Sequence, residues 1–271
     1  MNATTTGSTG NTSTSAADPT VRRVPRLGGF SLTVLGIELR RMLRNRRTVI
    51  FTLVLPAALF FSFGGSAGWD AEAGRGNVAA YILVSMGLYG AAVTAAGGGA
   101  MVAMERAVGW SRQLRLTPLK PAVYVGIKAL LALVLGAIAI AVVNLAGIVQ
   151  GHPSMPLHIW IGCALLTLVC TLVFAALGVF VGYLVPGENA MQFLGPGLAL
   201  FAFLGNVFIP LAAGSAIYRV AEWTPMFGVA EISRWPLTDD LPWTAVVNAV
   251  VWFALFVAGA AWRLSKDTAR V

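Results

Sequence analysis

Six long apolar runs alternate with short polar segments over most of this 271-residue chain. Each run approaches or exceeds the ~20 residues that a helix needs to cross the hydrocarbon core of a bilayer. In lipid every backbone polar group must find a partner within the protein, so the runs are expected to be helices rather than open strands. The pattern therefore predicts an all-α integral membrane fold with six transmembrane helices. The runs are Thr48–Gly64, Val78–Ala103, Pro121–Val149, Leu157–Val185, Ala190–Ala213 and Trp243–Trp262.

The residues before the first run divide into two parts. Residues 1–20 consist largely of Thr, Ser, Gly, Asn and Ala without apolar periodicity, so residues 1–30 are interpreted as a disordered tail. Ser31–Arg47 separates apolar and basic positions onto different helical faces, which predicts an amphipathic helix in the membrane interface. Residues 31–271 are interpreted as one membrane domain. The charged residues singled out on the interfacial helix are Glu38, Arg40, Arg41 and Arg44.

A polar stretch, Met104–Lys120, lies between the second and third runs and is called the 104–120 segment below. If it is a helix, Ala107, Trp110 and Leu114 form one apolar stripe, because they are spaced i, i+3 and i+7. Thr117-Pro118 should end this helix, because proline disfavours helix in the residue before it and donates no backbone hydrogen bond. A basic amphipathic connector lying on lipid headgroups is one interpretation. The charged positions expected on the opposite face are Glu105, Arg112 and Arg115.

The fifth run is unusual because glycine and proline interrupt it at several depths. Such residues free backbone groups that neighbouring helices or water must satisfy. Ordinary helix kinking is one interpretation, and a flexible helix lining a translocation path is the other. On the second interpretation, bulky changes at Gly205 or Asn206 are expected to alter substrate preference while assembly stays intact. The candidate path residues are Phe193, Phe201, Phe203, Gly205, Asn206, Phe208 and Pro210.

The segment between the fifth and sixth runs, Gly214–Pro242, has a mixed composition. Its tryptophans suit an aromatic belt at the membrane–water interface. Its prolines are expected to cut it into short pieces. They are Pro225, Pro236 and Pro242.

Composition and charge support the membrane assignment and add an orientation. Apolar residues make up 57% of the chain and charged residues 11%, against about a quarter charged in soluble domains. With the amino terminus inside, sixteen of the nineteen Lys and Arg residues fall on the cytoplasmic side. The positive-inside rule therefore predicts that both termini are cytoplasmic, and the net charge of +8 reflects topology rather than a nucleic-acid partner. Lys128, inside the third run, is expected to snorkel to the cytoplasmic interface.

Several kinds of site chemistry find no support in the residues. No G-x-x-x-x-G-K-[ST] motif is present, so the chain lacks the P-loop that holds ATP phosphates. His152 and His158 have no metal-ligating partner at helical spacing, and no metal site is predicted. No carboxylate lies at the centre of a run, which disfavours a proton-coupled carrier. Energy for transport would have to come from a partner.

Four blocks of the sequence resemble one family, the type-2 ABC exporter permeases. Glu38-Leu39-Arg40-Arg41 leads into the first run, and Glu105-Arg106, Gly109, Leu114 and Thr117-Pro118 mark the 104–120 segment. Glu188-Asn189-Ala190 precedes the Phe203–Pro210 block, and Trp223-Thr224-Pro225 precedes Arg234. The likeness is strongest to the daunorubicin-resistance branch of drug and antibiotic permeases.

The resemblance implies an assembly and a role for particular residues. Two six-span permeases, identical or homologous, would pack above two ATPase subunits that bind ATP and Mg, with no cofactor on this chain. The 104–120 segment would be the coupling helix that docks on the ATPase, and Gly214–Pro242 would form an outer re-entrant hairpin. The implied ATPase-coupling residues are Glu105, Arg106, Gly109, Trp110, Arg112, Leu114, Arg115, Thr117 and Pro118.

Two function classes follow, with a structural or assembly role behind them. The first is the permease subunit of an ATP-driven exporter in a bacterial plasma membrane, without enzymatic activity of its own. Its substrate would be a drug, an antibiotic, a lipid or another amphipathic molecule. The second is an ATP-independent carrier or channel. A copurifying ATPase would distinguish the two.

Overall fold

The structure, a computed structural model, describes residues 32–44, 50–63, 68–107, 109, 121–185, 189–208, 211 and 214–268. The predicted tail, residues 1–30, lies outside these residues. A π-helical turn, Ile50–Val54, precedes α2, and a two-stranded hairpin precedes α3. The helices are α1 (Leu32–Arg44), α2 (Leu55–Phe63), α3 (Val78–Ala107), α4 (Pro121–Gln150), α5 (Leu157–Leu184), α6 (Asn189–Leu204), α7 (Ala216–Ala221), α8 (Pro225–Thr238) and α9 (Trp243–Thr268).

Four helices in the described part of the chain are long and apolar enough to cross a membrane, namely α3, α4, α5 and α9. They correspond to the second, third, fourth and sixth predicted runs. The helix of the fifth run, α6, has only 16 residues. In the first run, α2 has 9 residues and follows the π-helical turn. The described residues therefore contain four of the six predicted spanning helices.

The centre of the fold is α3. Of its most apolar stretch, 78% is buried by the rest of the chain, against 22% for α9 at the periphery. Nearly half of the residues along α3 are Ala or Gly, which lets neighbouring helices approach closely. Its main neighbours are α5 and α4, and α9 and α8 also pack against α5.

The contact between α3 and α5 is made by small residues on both helices. A Cβ atom added at Gly178 of α5 would lie 2.0 Å from the carbonyl oxygen of Ala96. One added at Gly99 of α3 would lie 2.5 Å from the carbonyl oxygen of Ala175. Gly178 and Gly182 form a GxxxG pair, a spacing that puts two small residues on one helix face. The two backbones therefore touch without side chains between them.

Helix α6 ends well before the predicted end of its run at Ala213. The N–H of Val207 donates to the carbonyl of Ala202, the six-to-one hydrogen bond of a Schellman-type helix end. Asn206 occupies the left-handed position that this motif requires, with φ of 61°. The break therefore has a defined local geometry, and Pro196 is accommodated inside the helix.

The Gly214–Pro242 segment forms two helices, α7 and α8. Ser215 caps α7 by accepting a hydrogen bond from the Tyr218 N–H at 3.1 Å, and Thr224 caps α8 by accepting one from the Phe227 N–H at 3.3 Å. Pro225 occupies the first turn of α8, where its missing N–H costs nothing. Pro236, in contrast, lies inside α8, so the expectation that it divides the segment is wrong.

A short hairpin departs from the all-α prediction. Strands β1 (Glu72–Ala73) and β2 (Gly76–Asn77) pair antiparallel at the amino-terminal end of α3. The Arg75 N–H donates to the carbonyl of Leu237 at the end of α8. The Asn77 side chain donates to the carbonyl of His152 and accepts from the Ser154 N–H. The hairpin thus joins α8 to the loop between α4 and α5.

Candidate functional site

Lys128 of α4 lies at the centre of a buried charge cluster and is only 3% exposed. Its Nζ atom lies 3.0 Å from Oε2 of Glu38 on α1 and 2.5 Å from Oε1 of Glu105 in the last turn of α3. The Tyr124 hydroxyl, one turn before Lys128 on α4, donates to the other oxygen of Glu105. This cluster, Glu38–Lys128–Glu105 with Tyr124, is called the inner ion-pair cluster. It joins three helices.

The inner ion-pair cluster corrects two expectations from the sequence. Lys128 is buried against two carboxylates of the protein itself, and Glu105, which is 4% exposed, lies in the interior instead of at the polar rim of an exposed helix. A buried charge is costly unless it is paired and hydrogen-bonded. Here each charge finds its partner on a different helix. The sequence signal for this site was a single lysine within an apolar run, with Tyr124 four residues before it on the same helical face.

Arg106 fixes the same end of α3 to α5. Its guanidinium donates to the carbonyl oxygens of Gly182 and Tyr183 at 3.4 and 3.2 Å, and its Cζ atom lies 5.0 Å from the centroid of the Tyr183 ring. These carbonyls belong to the last turn of α5, where the helix dipole favours a cation. The last turn of α3 is therefore tied to α1, α4 and α5.

Gly109 marks a change of direction directly after α3. Its N–H donates to the carbonyl of Arg106 at 3.0 Å, and its φ of 73° is left-handed, a conformation that glycine adopts without a steric penalty. The expected continuous helix from Met104 is wrong, because Met104–Ala107 belong to α3 and the helix stops before Gly109. The remaining predicted coupling residues lie outside the described residues. They are Trp110, Arg112, Leu114, Arg115, Thr117 and Pro118.

The interfacial-helix residues separate into two groups on α1. Glu38 faces Lys128, and Met42 is buried in a small apolar cluster with Leu131 and Leu135 of α4. Arg40, Arg41 and Arg44 are exposed. One side of α1 thus packs on α4, while the basic residues stay available to solvent or headgroups.

The candidate path residues do not form one open surface in this chain. Phe193 and Phe203 are exposed, and Phe201 and Phe208 are half-buried. The Phe208 ring lies 4.8 Å from that of Tyr89 on α3 and 4.9 Å from that of Phe203, so an aromatic row crosses from α3 to the exposed side of α6. Pro210 lies outside the described residues.

Gly205 and Asn206 are buried within this chain. A Cβ atom at Gly205 would lie 2.5 Å from Cβ of Met226 on α8. A bulky residue at Gly205 should therefore disturb the contact between α6 and α8 instead of altering substrate preference alone. The sequence placed Arg234 in the Gly214–Pro242 segment without predicting its burial, and the structure brings its guanidinium onto the carbonyl of Asn206.

No group of three His, Cys, Asp or Glu side chains among the described residues could hold a metal ion. Glu38, Glu105 and Lys128 pair with one another, and Arg106 pairs with helix-terminal carbonyls. Among the described residues, these contacts join α1, α3, α4 and α5.

Comparison with known proteins identifies the family. The sequence profile of the ABC-2 type transporter family matches residues 32–237, which covers every described element from α1 to nearly the end of α8. YvfS of Bacillus subtilis (strain 168), whose name describes a transport permease, is 24% identical over 226 residues, covering 81% of this chain and 91% of that protein. With four helices able to span a membrane, this chain is a multi-pass membrane permease that belongs to the ABC-2 type transporter family.

Proposed function

We propose that this chain is the membrane-spanning permease subunit of an ATP-driven exporter. Two copies of a separate ATPase subunit, which bind ATP and Mg, would drive it, and a second permease chain would complete the pathway. The substrate would be a drug, an antibiotic, a lipid or another amphipathic molecule. The family assignment and the transport-permease name of the Bacillus relative support this proposal.

The observation that carries the proposal is the inner ion-pair cluster at the start of the 104–120 segment. A force applied to residues 110–118 would reach α3 through the short turn at Gly109. Glu105 would pass it to α1 and α4, and Arg106 would pass it to α5, because each side chain is held by short polar contacts. Four helices would then move together, which is what coupling to an ATPase movement requires.

The contact with the ATPase is proposed to centre on Trp110. A buried aromatic anchor typically contributes more to an interface than charged groups at its rim, which mainly tune association. Truncating such an anchor costs ~2 kcal/mol or more in binding, or about a thirtyfold loss of affinity.

Trp110→Ala should therefore lower the amount of ATPase that copurifies with the permease from membranes in mild detergent, measured as subunit stoichiometry. Trp223→Ala is the matched control, because Trp223 is 81% exposed and lies between α7 and α8, far along the chain from the 104–120 segment. Wild-type stoichiometry for Trp110→Ala would contradict the proposed docking role and favour a segment that rests on lipid.

The proposed topology has six spans with both termini cytoplasmic in a bacterial plasma membrane. The first and fifth runs would supply the two additional spans, and Gly214–Pro242 would re-enter from the outer side. The distribution of Lys and Arg supports this orientation. On α9, Trp243 and Trp262 are both exposed and lie roughly 28 Å apart along the helix, close to the thickness of the hydrocarbon core.

The orientation can be tested by labelling single cysteines with a membrane-impermeant maleimide in a Cys163→Ser, Cys170→Ser background. A cysteine at Glu72, exposed on β1, should label in intact cells, and one at Ser111 should label only after permeabilisation. Glu72 is preferred to the nearby Gly74 as the labelling position, because a Cβ atom at Gly74 would lie 2.3 Å from the carbonyl oxygen of Leu237. The reverse labelling pattern would overturn the orientation.

A further inference from the structure

Arg234 of α8 is a fully buried arginine, with 0% of its surface exposed. One terminal nitrogen donates to Oε1 of Glu231 at 2.6 Å, on the same helix. The other donates to the backbone carbonyl of Asn206 at 2.7 Å and to the Ser85 hydroxyl at 3.3 Å. The guanidinium also lies 4.4 Å from the centroid of the Tyr81 ring. Arg234 therefore connects α8 to α3 and to the end of α6.

Asn206 is the residue through which Arg234 reaches α6. Its left-handed backbone ends the helix, and its carbonyl then points at the guanidinium. Its side chain donates to Oε1 of Glu231 at 3.1 Å and accepts from the Leu211 N–H at 2.8 Å. The backbone contact with Arg234 and the side-chain contacts are thus separate, so they can be removed separately.

Charge and helix geometry both favour this contact. The last turn of a helix carries partial negative charge on carbonyls that lack an intrahelical partner, and a cation there is stabilising. The planar guanidinium can donate in several directions at once, whereas a lysine ammonium is a single point charge. Arg234 meets Glu231, Asn206 and Ser85 together, and its charge compensates the half-buried carboxylate of Glu231.

We propose that Arg234 is a positioning residue that holds the left-handed end of α6 against α8 and α3. By doing so it sets where α6 stops and where Phe208, two residues after Asn206, meets Tyr89 and Phe203. The consequence for transport rests on the proposed function, in which α6 lines the path. The placement of the helix end is a property of the chain alone and can be measured without an ATPase or a substrate.

The test uses the full chain in lipid nanodiscs, with Cys163→Ser and Cys170→Ser removing the native thiols. Val207→Cys reports the helix end, because Val207 is buried directly after Asn206. Ala132→Cys on α4 reports global unfolding, because Ala132 is buried and far from Asn206 in sequence. The measured quantity is the rate of labelling by a polar maleimide at each reporter.

Arg234→Met should expose the reporter at residue 207 and leave the reporter at residue 132 protected. The double variant Arg234→Met/Glu231→Gln separates two roles of the arginine. If Arg234 only neutralises Glu231, the double variant should restore protection at residue 207. If it holds the carbonyl of residue 206, labelling should stay fast. Unchanged labelling in Arg234→Met, or restored protection in the double variant, would overturn the proposal.

A matched pair at Asn206 provides an independent arm, which decides the outcome if Arg234→Met unfolds the whole chain. Both Asn206→Gly and Asn206→Ala lose the side-chain hydrogen bonds and keep the carbonyl that Arg234 contacts. Only glycine adopts the left-handed conformation freely. Labelling at residue 207 should be about tenfold faster in Asn206→Ala than in Asn206→Gly. Equal rates would show that the contact of Arg234 with residue 206 does not hold a left-handed turn there. That result would also overturn the proposal.

Discussion

Gly178→Ile is expected to abolish accumulation of the folded permease. A Cβ atom at this position would lie 2.0 Å from the carbonyl oxygen of Ala96, with the Ala96 Cα at 2.7 Å. These atoms belong to the backbone of α3, so no side-chain rotation can relieve the overlap. The helices would have to separate, and forced overpacking costs about 1–3 kcal/mol and occasionally more. The effect here should be at the upper end, because α3 is the central helix.

The measurement is the yield and elution profile of the detergent-solubilised protein on size exclusion. Gly126→Ile is the matched control, because Gly126 also lies within a long helix, α4, but a Cβ atom there would meet nothing within 4 Å. Its yield should be close to that of the wild type. A monodisperse Gly178→Ile variant with normal yield would show that α3 and α5 do not pack as closely as the structure indicates.

Lys128→Met should be the most destabilising single change at a charged residue of the inner ion-pair cluster. It leaves the carboxylates of Glu38 and Glu105 close together without their shared cation. Removing one partner of a buried ion pair costs about 3–5 kcal/mol, because the remaining charge stays buried. The expected result is a loss of this size in the free energy of unfolding, measured by denaturant titration in detergent micelles.

Second-site variants should show which carboxylate causes the loss of stability in Lys128→Met. The Glu105 side chain is 5% exposed, whereas that of Glu38 is 16% exposed and has more access to solvent. Lys128→Met/Glu105→Gln should therefore recover more stability than Lys128→Met/Glu38→Gln. Lys266→Met serves as the control, because Lys266 is exposed on α9 and surface charges contribute about 0–1 kcal/mol. Equal rescue by both double variants would contradict the assigned burial of Glu105.

Several features of this protein were determined by its sequence. Hydropathy located the helices now seen as α3, α4, α5 and α9, and all four begin at the predicted residue, namely Val78, Pro121, Leu157 and Trp243. The reason is that a membrane helix satisfies its own backbone, so a long apolar run has few alternatives to a helix. The family was also recognisable from short blocks such as Glu105-Arg106 and Thr117-Pro118, and the family profile confirms it.

Other features were decided only by the tertiary structure, because they depend on residues far apart in the chain. Hydropathy ranks Lys128 and Arg234 as residues that should seek water, yet both are buried. Their most distant partners lie 90 positions away at Glu38 for Lys128 and 149 positions away at Ser85 for Arg234. The close contact of Gly178 with Ala96 likewise requires two helices to meet at one register.

The end of α6 shows the same division within a single element. Glycine and proline in the fifth run indicated a break, but they indicated it at several places. The break lies at Asn206, where a left-handed residue finds the guanidinium of Arg234 to satisfy its carbonyl. A local sequence pattern can indicate that a helix is interrupted. Where it ends is decided by the partner that stabilises its exposed carbonyls, and that partner comes from another helix.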